Sequence, residues 1–175
     1  LQPGHISGPG WMPIGPLGNL DPDVWYAISA GQEVAVPGLG AELMHHVHAD
    51  DVAQAFQLAV EHRDAAAGKS FNVVAPSALT ARGFLAIAAS WFGQASRTRS
   101  VSWAEFRSGT TAEFADSSWQ HLCRSQYASI EKARIRLVHG FGPAGFHEME
   151  DGENWDQSTR GTKGVISSRY PLHYA

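Results

Sequence analysis

His45-His46-Val47-His48-Ala49-Asp50-Asp51-Val52 is the stretch on which the reading of this chain turns. Three histidines and a valine suit an extended segment. Two aspartates then lead into Val52, Ala55, Phe56 and Ala59, spaced i, i+3, i+4 and i+7. That spacing lays one apolar stripe along a helix. The stretch predicts a short strand feeding a helix that Asp50 or Asp51 caps and Gly68 stops. On the strand, alternation puts His46 and His48 on one face and His45 on the other. Two imidazoles at i and i+2 beside a carboxylate have the chemistry of a metal site. The aspartates are needed as caps, however, and no third histidine has a place beside them, so no metal site is assigned. Packing and hydrogen bonding within a sheet is the reading that the residues themselves leave for the histidines.

Upstream, residues 1–20 are too rich in glycine and proline for a helix. They read as the end of a strand running into an ordered loop, either ligand-facing or a plain connection. Asp21-Pro22-Asp23 opens a helix with Val24, Trp25 and Ile28 on its apolar face and Gly31 at its end. Glu33–Pro37 and Glu42–His48 read as strands around a Gly38-Leu39-Gly40 turn, a hairpin-like pair. Downstream, Ser70–Val74 is a strand and Thr80 caps a helix ending at Gly93. A short strand follows near 98–102. Capping-box spacing at Ser102…Glu105 and Ser117…Gln120 predicts two short helices between 103 and 124. Ser129 opens a last helix through about Leu137. Residues 144–175 are acidic and without period, which predicts an irregular or disordered tail.

Composition narrows the function classes. An apolar fraction of 43% with 17% charge suits a globular protein and not a disordered chain. The net charge is −4 and the 13 lysines and arginines are scattered, so no nucleic-acid footprint is expected. Cys123 is the only cysteine, which excludes an internal disulfide or a cysteine-based zinc site and suits a reducing, cytoplasmic compartment. No apolar run approaches a membrane span.

Several stretches resemble one family. Leu1-Gln2-Pro3-Gly4-His5-Ile6-Ser7-Gly8-Pro9-Gly10 is similar to the strand-to-loop segment, usually Leu-Arg-Pro-Gly before Gly-Pro-Gly, of the NAD-dependent epimerase/dehydratase family, the extended short-chain dehydrogenase/reductases. Val47-His48-Ala49-Asp50-Asp51-Val52-Ala53 resembles its later strand-to-helix signature, and Phe71-Asn72-Val73-Val74 the strand that follows. Ser129-Ile130-Glu131-Lys132-Ala133 resembles its Ser-x-x-Lys-Ala helix, and Gly140-Phe141-Gly142-Pro143 the turn after it. The order matches the family over residues 1–143.

The resemblance implies the C-terminal, substrate-side portion of a Rossmann-like α/β enzyme. A complete member uses NAD or NADP held by a Gly-rich loop, and a tyrosine four residues before a lysine as acid/base. No tyrosine here has a lysine four on. Gly140 to Gly145 has dinucleotide-loop spacing, but Pro143 sits inside it and no helical period follows. The missing parts are expected upstream of Leu1, in an N-terminal Rossmann half, so this chain should carry no catalytic residue and should not bind the cofactor alone. By the same resemblance, Pro3, Gly4 and His5 lie near the nicotinamide, and Asn19, His45 and His46 near a small-molecule substrate. Nucleotide-sugar epimerases often carry Arg-Asp-aromatic where this chain has Met44-His45-His46, which argues against a nucleotide sugar. A homodimer is compatible with the family. The alternative, from another class, is a noncatalytic binding or interaction module derived from the same domain.

An isolated half exposes the apolar surface on which a missing sheet would dock. The chain should therefore enhance the fluorescence of a hydrophobic dye under native conditions, and a compact, dye-negative protein would instead indicate independent folding.

Overall fold

The computed structural model describes residues 1–138, so the expected tail at 144–175 and the Gly140 to Gly145 motif lie outside the described residues. The chain forms two compact units. The first comprises Leu1–Trp11, His45–Ser77 and the chain from Ala128; the second comprises Met12–Met44 and Ala78–Tyr127.

The first unit is built on parallel strands. β1 (Gln2–Pro3) pairs with residues Asn72–Val73, and β2 (His5–Ser7) pairs with residues His46–His48, in the register His5–His46, Ile6–Val47 and Ser7–His48. The alternation of these strands sends Ile6 and Val47 toward a small core with Val52 and Val73. Helix Ala49–Glu61 follows the histidine strand directly, and the short helix Arg63–Ala66 follows that. Gly68, at φ +69°, turns the chain back toward the sheet. Lys132, on the helical turn Glu131–Ala133, lies 5.3 Å from the centre of the Phe71 ring. A π-helical turn, Arg134–Val138, ends the described chain.

In the second unit, α1 (Pro22–Ser29) begins as its sequence requires. The Asp21 carboxylate accepts the Asp23 N–H at 2.9 Å and Pro22 fills the first turn. β3 (Glu33–Pro37) runs parallel to Arg97–Val101. Helix Ala81–Trp91 packs Phe84, fully buried, against Trp25 at 6.0 Å and Trp91 at 6.4 Å between ring centres. Arg82 on that helix donates to Leu39 O at 2.6 Å, to Ser100 Oγ at 2.7 Å and to Thr98 Oγ1, tying the turn after β3 to the neighbouring strand. Helices Trp103–Ser108 and Ala112–Leu122 complete the unit.

Three local expectations are corrected. Glu33–Pro37 and Glu42–His48 do not form a hairpin. The second stretch splits, with Leu43–Met44 antiparallel to Leu79–Thr80 and His46–His48 parallel to β2. Alternation encodes extended backbone but not its partner, and here every partner is distant in sequence. The long helix is capped by neither aspartate. His48 is its N-cap, its Nδ1 accepting the Asp50 N–H at 3.2 Å, and the helix ends at Glu61, before Gly68. Ser117 does not start a helix. Thr111 caps Ala112–Leu122 through the Phe114 N–H, and Ser117 and Ser118 sit mid-helix, spending their hydroxyls on the loop at Gly18 and Asn19.

Phe84→Ala should destabilise the protein by about 3–5 kcal/mol, because a fully buried ring is removed from an aromatic cluster that cannot collapse onto the space. Urea denaturation followed by tryptophan fluorescence measures this.

Candidate functional site

Two places carry functional side chains. In the first unit they lie where β2 meets the histidine strand. The backbones cross so closely at Gly4 that an added Cβ would stand 2.1 Å from the His45 carbonyl oxygen. Glycine at position 4 is therefore required by the strand crossing itself. The same carbonyl accepts the His5 N–H at 2.9 Å. The His45 ring is 2% exposed. Its Nδ1 accepts the Ala128 N–H at 3.2 Å, and its Nε2 lies 2.7 Å from the Ala75 carbonyl oxygen. Accepting at Nδ1 leaves the proton on Nε2, so the neutral tautomer satisfies both backbone groups. Burial holds its pKa below the ordinary 6.5, with the Ala75 hydrogen bond opposing that shift. His46 is fully buried and its ring centre lies 5.2 Å from that of His5, which is half-buried. Pro3 is exposed.

The start of the following helix is a reciprocal cap. Besides the His48 Nδ1 contact, the Asp51 carboxylate takes the His48 backbone N–H. Burial nevertheless raises the Asp51 pKa above 3.8, with His48 pulling the other way. The two aspartates thus favour the helix N-terminus from its first turn.

In the second unit a cavity of about 360 Å³ opens between α1, β3, the strand Arg97–Val101 and the helix Trp103–Ser108. Leu17, Val24, Ala35, Val101 and Phe106 give it an apolar floor, and Asn19 is part of its wall. Asn19 is 1% exposed: Nδ2 donates to Ser118 Oγ at 3.0 Å and Oδ1 accepts the Asp21 N–H at 3.2 Å. It holds the loop before α1 against the helix Ala112–Leu122. Arg99 crosses the rim, bonding Glu105 at 2.7 Å and Glu33 at 3.2 Å. The Glu105 hydrogen bond is the main cause of a raised Arg99 pKa.

Gly4, His5, His45 and His46 are brought together, beside Pro3, in the first unit; Asn19 belongs to the second. Sequence reasoning missed Arg99, Glu33 and Glu105. The available signal was the pair of alternating strands Glu33–Pro37 and Arg97–Val101, whose parallel pairing brings Glu33 and Arg99 onto one face. Among the described residues, no group of three histidine, cysteine, aspartate or glutamate side chains is placed to hold a metal, and no helix is long and apolar enough to cross a membrane.

Parallel strand ends, a Gly-Pro-Gly loop and a direct strand-to-helix step make the first unit a piece of a Rossmann-like α/β domain. Residues 1–74 match the family model described as the NAD dependent epimerase/dehydratase family, which bears out the resemblance over those residues. Human epimerase family protein SDR39U1 (isoform 2), solved with NADPH, is 20% identical with a TM-score of 0.52, over 80% of this chain and 41% of that one. A functionally unknown conserved protein from Silicibacter pomeroyi DSS is 18% identical with a TM-score of 0.50, over 77% of this chain and 39% of that one. At these identities the likeness is one of fold. The chain spans about two-fifths of the length of these structures. No curated protein matches it.

The neutral His45 gives a pH test. Its folded pKa is lowered below 6.5, so as pH falls past that value the unfolded chain binds a proton that the folded chain refuses. Stability should fall with pH by up to about 1.4 kcal/mol per unit from this group, until its folded pKa is reached. His45→Phe should cost about 1–3 kcal/mol at pH 7.5 by orphaning two backbone groups. The gap between the two proteins should narrow at pH 5.5, as read from urea midpoints at both pH values.

Proposed function

We propose that this chain is the substrate-side, C-terminal portion of an NAD(P)-dependent epimerase/dehydratase-like oxidoreductase, and that it is inactive by itself. The observation that carries this reading is the family match at residues 1–74, together with the parallel strand ends that those residues form. In a complete member, the nicotinamide would supply hydride chemistry at a hydroxyl-bearing carbon.

The residues present suit only the nicotinamide end of such a cofactor. Pro3, ending β1, is exposed and His5, starting β2, is half-buried, and an added Cβ at Gly10 would meet nothing within 4 Å. The pyrophosphate needs a Gly-rich turn that aims backbone N–H groups at it. The only Gly-x-Gly-x-x-Gly spacing in the sequence runs from Gly140 to Gly145 and contains Pro143. No tyrosine-lysine pair at the family's spacing is present to move the hydroxyl proton.

What this chain would contribute is placement. His45 fixes the crossing that sets Pro3, Gly4 and His5 beside the nicotinamide. The His46 ring packs 5.2 Å from that of His5 within the same unit. Asn19 holds the wall of the cavity in which the substrate would rest. Reaction at a carbinol carbon would then proceed only when an N-terminal Rossmann half supplies the cofactor loop and the acid/base.

Titration calorimetry of the chain with NAD and with NADP should give no measurable heat of binding, and micromolar affinity for either would overturn the reading. The upstream DNA should encode a Gly-rich loop and a Tyr/Lys pair. Its failure to do so would favour a noncatalytic module.

A further inference from the structure

The charge around the cavity of the second unit departs from what an anionic substrate needs. Four carboxylates line it, Asp21, Asp23, Glu33 and Glu105, against one guanidinium, Arg99. Arg99 is not held in reserve for a phosphate. Its Nη1 and Nε are directed at Glu105 and Glu33, so a phosphate would have to displace a carboxylate and would still meet the rest. Asp21 is likewise fixed, with one oxygen capping α1 and the other accepting from Thr110 Oγ1 at 3.4 Å. Asp23 and Glu33 are exposed, at the starts of α1 and β3, and both line the cavity. Beneath them the floor is aliphatic and aromatic: Leu17, Val24, Ala35, Val101 and Phe106. An apolar floor with an acidic rim has the chemistry for an alkyl chain ending in an ammonium group.

We propose that this cavity takes a small amine-bearing molecule, an aliphatic or polyol skeleton carrying a cationic nitrogen, in place of the pyrophosphate of a nucleotide sugar. The inference rests on reading the second unit as the substrate side. The ammonium group sits at the Glu33–Arg99–Glu105 rim, where two carboxylates share the one guanidinium that lines the cavity, Arg97 lying across from Glu33 outside that lining. The carbon skeleton lies on the floor. Asn19 takes part by holding the wall rigid, its Nδ2 spent on Ser118 Oγ and its Oδ1 on the Asp21 N–H. The same arrangement disfavours phosphates by like-charge repulsion, so the selectivity is built from an attractive and a repulsive element together.

The test uses the full chain, isotope-labelled, with amide shifts as the readout and 1,4-diaminobutane and UDP as probes at low ionic strength. The diamine should shift resonances of Asn19, Ala35, Val101 and Phe106 and bind at least about tenfold more tightly than UDP. Its affinity should fall with added salt. The Glu33→Gln, Glu105→Gln double variant keeps the shapes of both exposed side chains, and it should lose at least about tenfold in diamine affinity with the rest of the amide spectrum unchanged. Preferential binding of UDP at the same residues would overturn the amine inference and leave the substrate-side reading standing. Shifts by neither probe at these residues would overturn both. Diamine binding unaffected by the double variant would overturn the assignment of the rim.

Discussion

The first unit depends on one crossing of backbones, at Gly4 and His45. Three separate stretches of chain meet there: the N-terminal strand, the histidine strand and the segment beginning at Ala128. The His45 carbonyl receives the His5 N–H, while its ring receives the Ala128 N–H and reaches the Ala75 carbonyl. A side chain at position 4 would collide with that carbonyl. A neutral imidazole is the only histidine form that both accepts and donates, so the crossing also dictates a protonation state. Val47, Val52 and Val73 pack together in this unit with Leu1, Ile6 and Ala55 around them.

The second unit uses two arginines in opposite ways. Arg82 is spent on structure, binding a turn carbonyl and two hydroxyls on one side of the strand pair. Arg99, on the opposite face, is spent on two carboxylates at the mouth of a cavity. The two faces of one parallel pair are thereby assigned different work: the Thr98 and Ser100 side is tied down by the helix Ala81–Trp91, and the Ala35 and Arg99 side lines the cavity. Asn19 links the two concerns, since it lines that cavity while anchoring the loop before α1.

Much of the local structure was legible. Asp21-Pro22, Thr80 and Ser102 announce helix starts because a short polar side chain before an apolar period can take an orphan N–H wherever it occurs. The strand Glu33–Pro37 is found at the residues that its alternation marked. The two cap errors have different causes, one distant in sequence and one local. Ser117-Ser118-Trp119-Gln120 has the spacing of a cap, but its hydroxyls had partners on a distant loop. Asp50 and Asp51 are good caps, but His48 stands before them with a ring nitrogen already in reach of the Asp50 N–H. The aspartates then serve inside the first turn, one of them reaching back to His48.

The sequence by itself determined the family pattern, the fold class, the helix starts at Asp21, Thr80 and Ser102 and the absence of a tyrosine-lysine pair, because each is written in residues close together along the chain. It did not determine which strands pair, why position 4 is glycine, or that Arg99 meets Glu33 and Glu105 at the rim of a cavity. Those are contacts across many residues of separation, and an alternating pattern is equally satisfied by any partner of the right length. The histidines show the division most plainly. Their spacing assigned His45 and His46 to opposite faces of a strand. Only the folded chain decided that His45 would be a neutral bridge between backbone groups and that His46 would lie buried against His5.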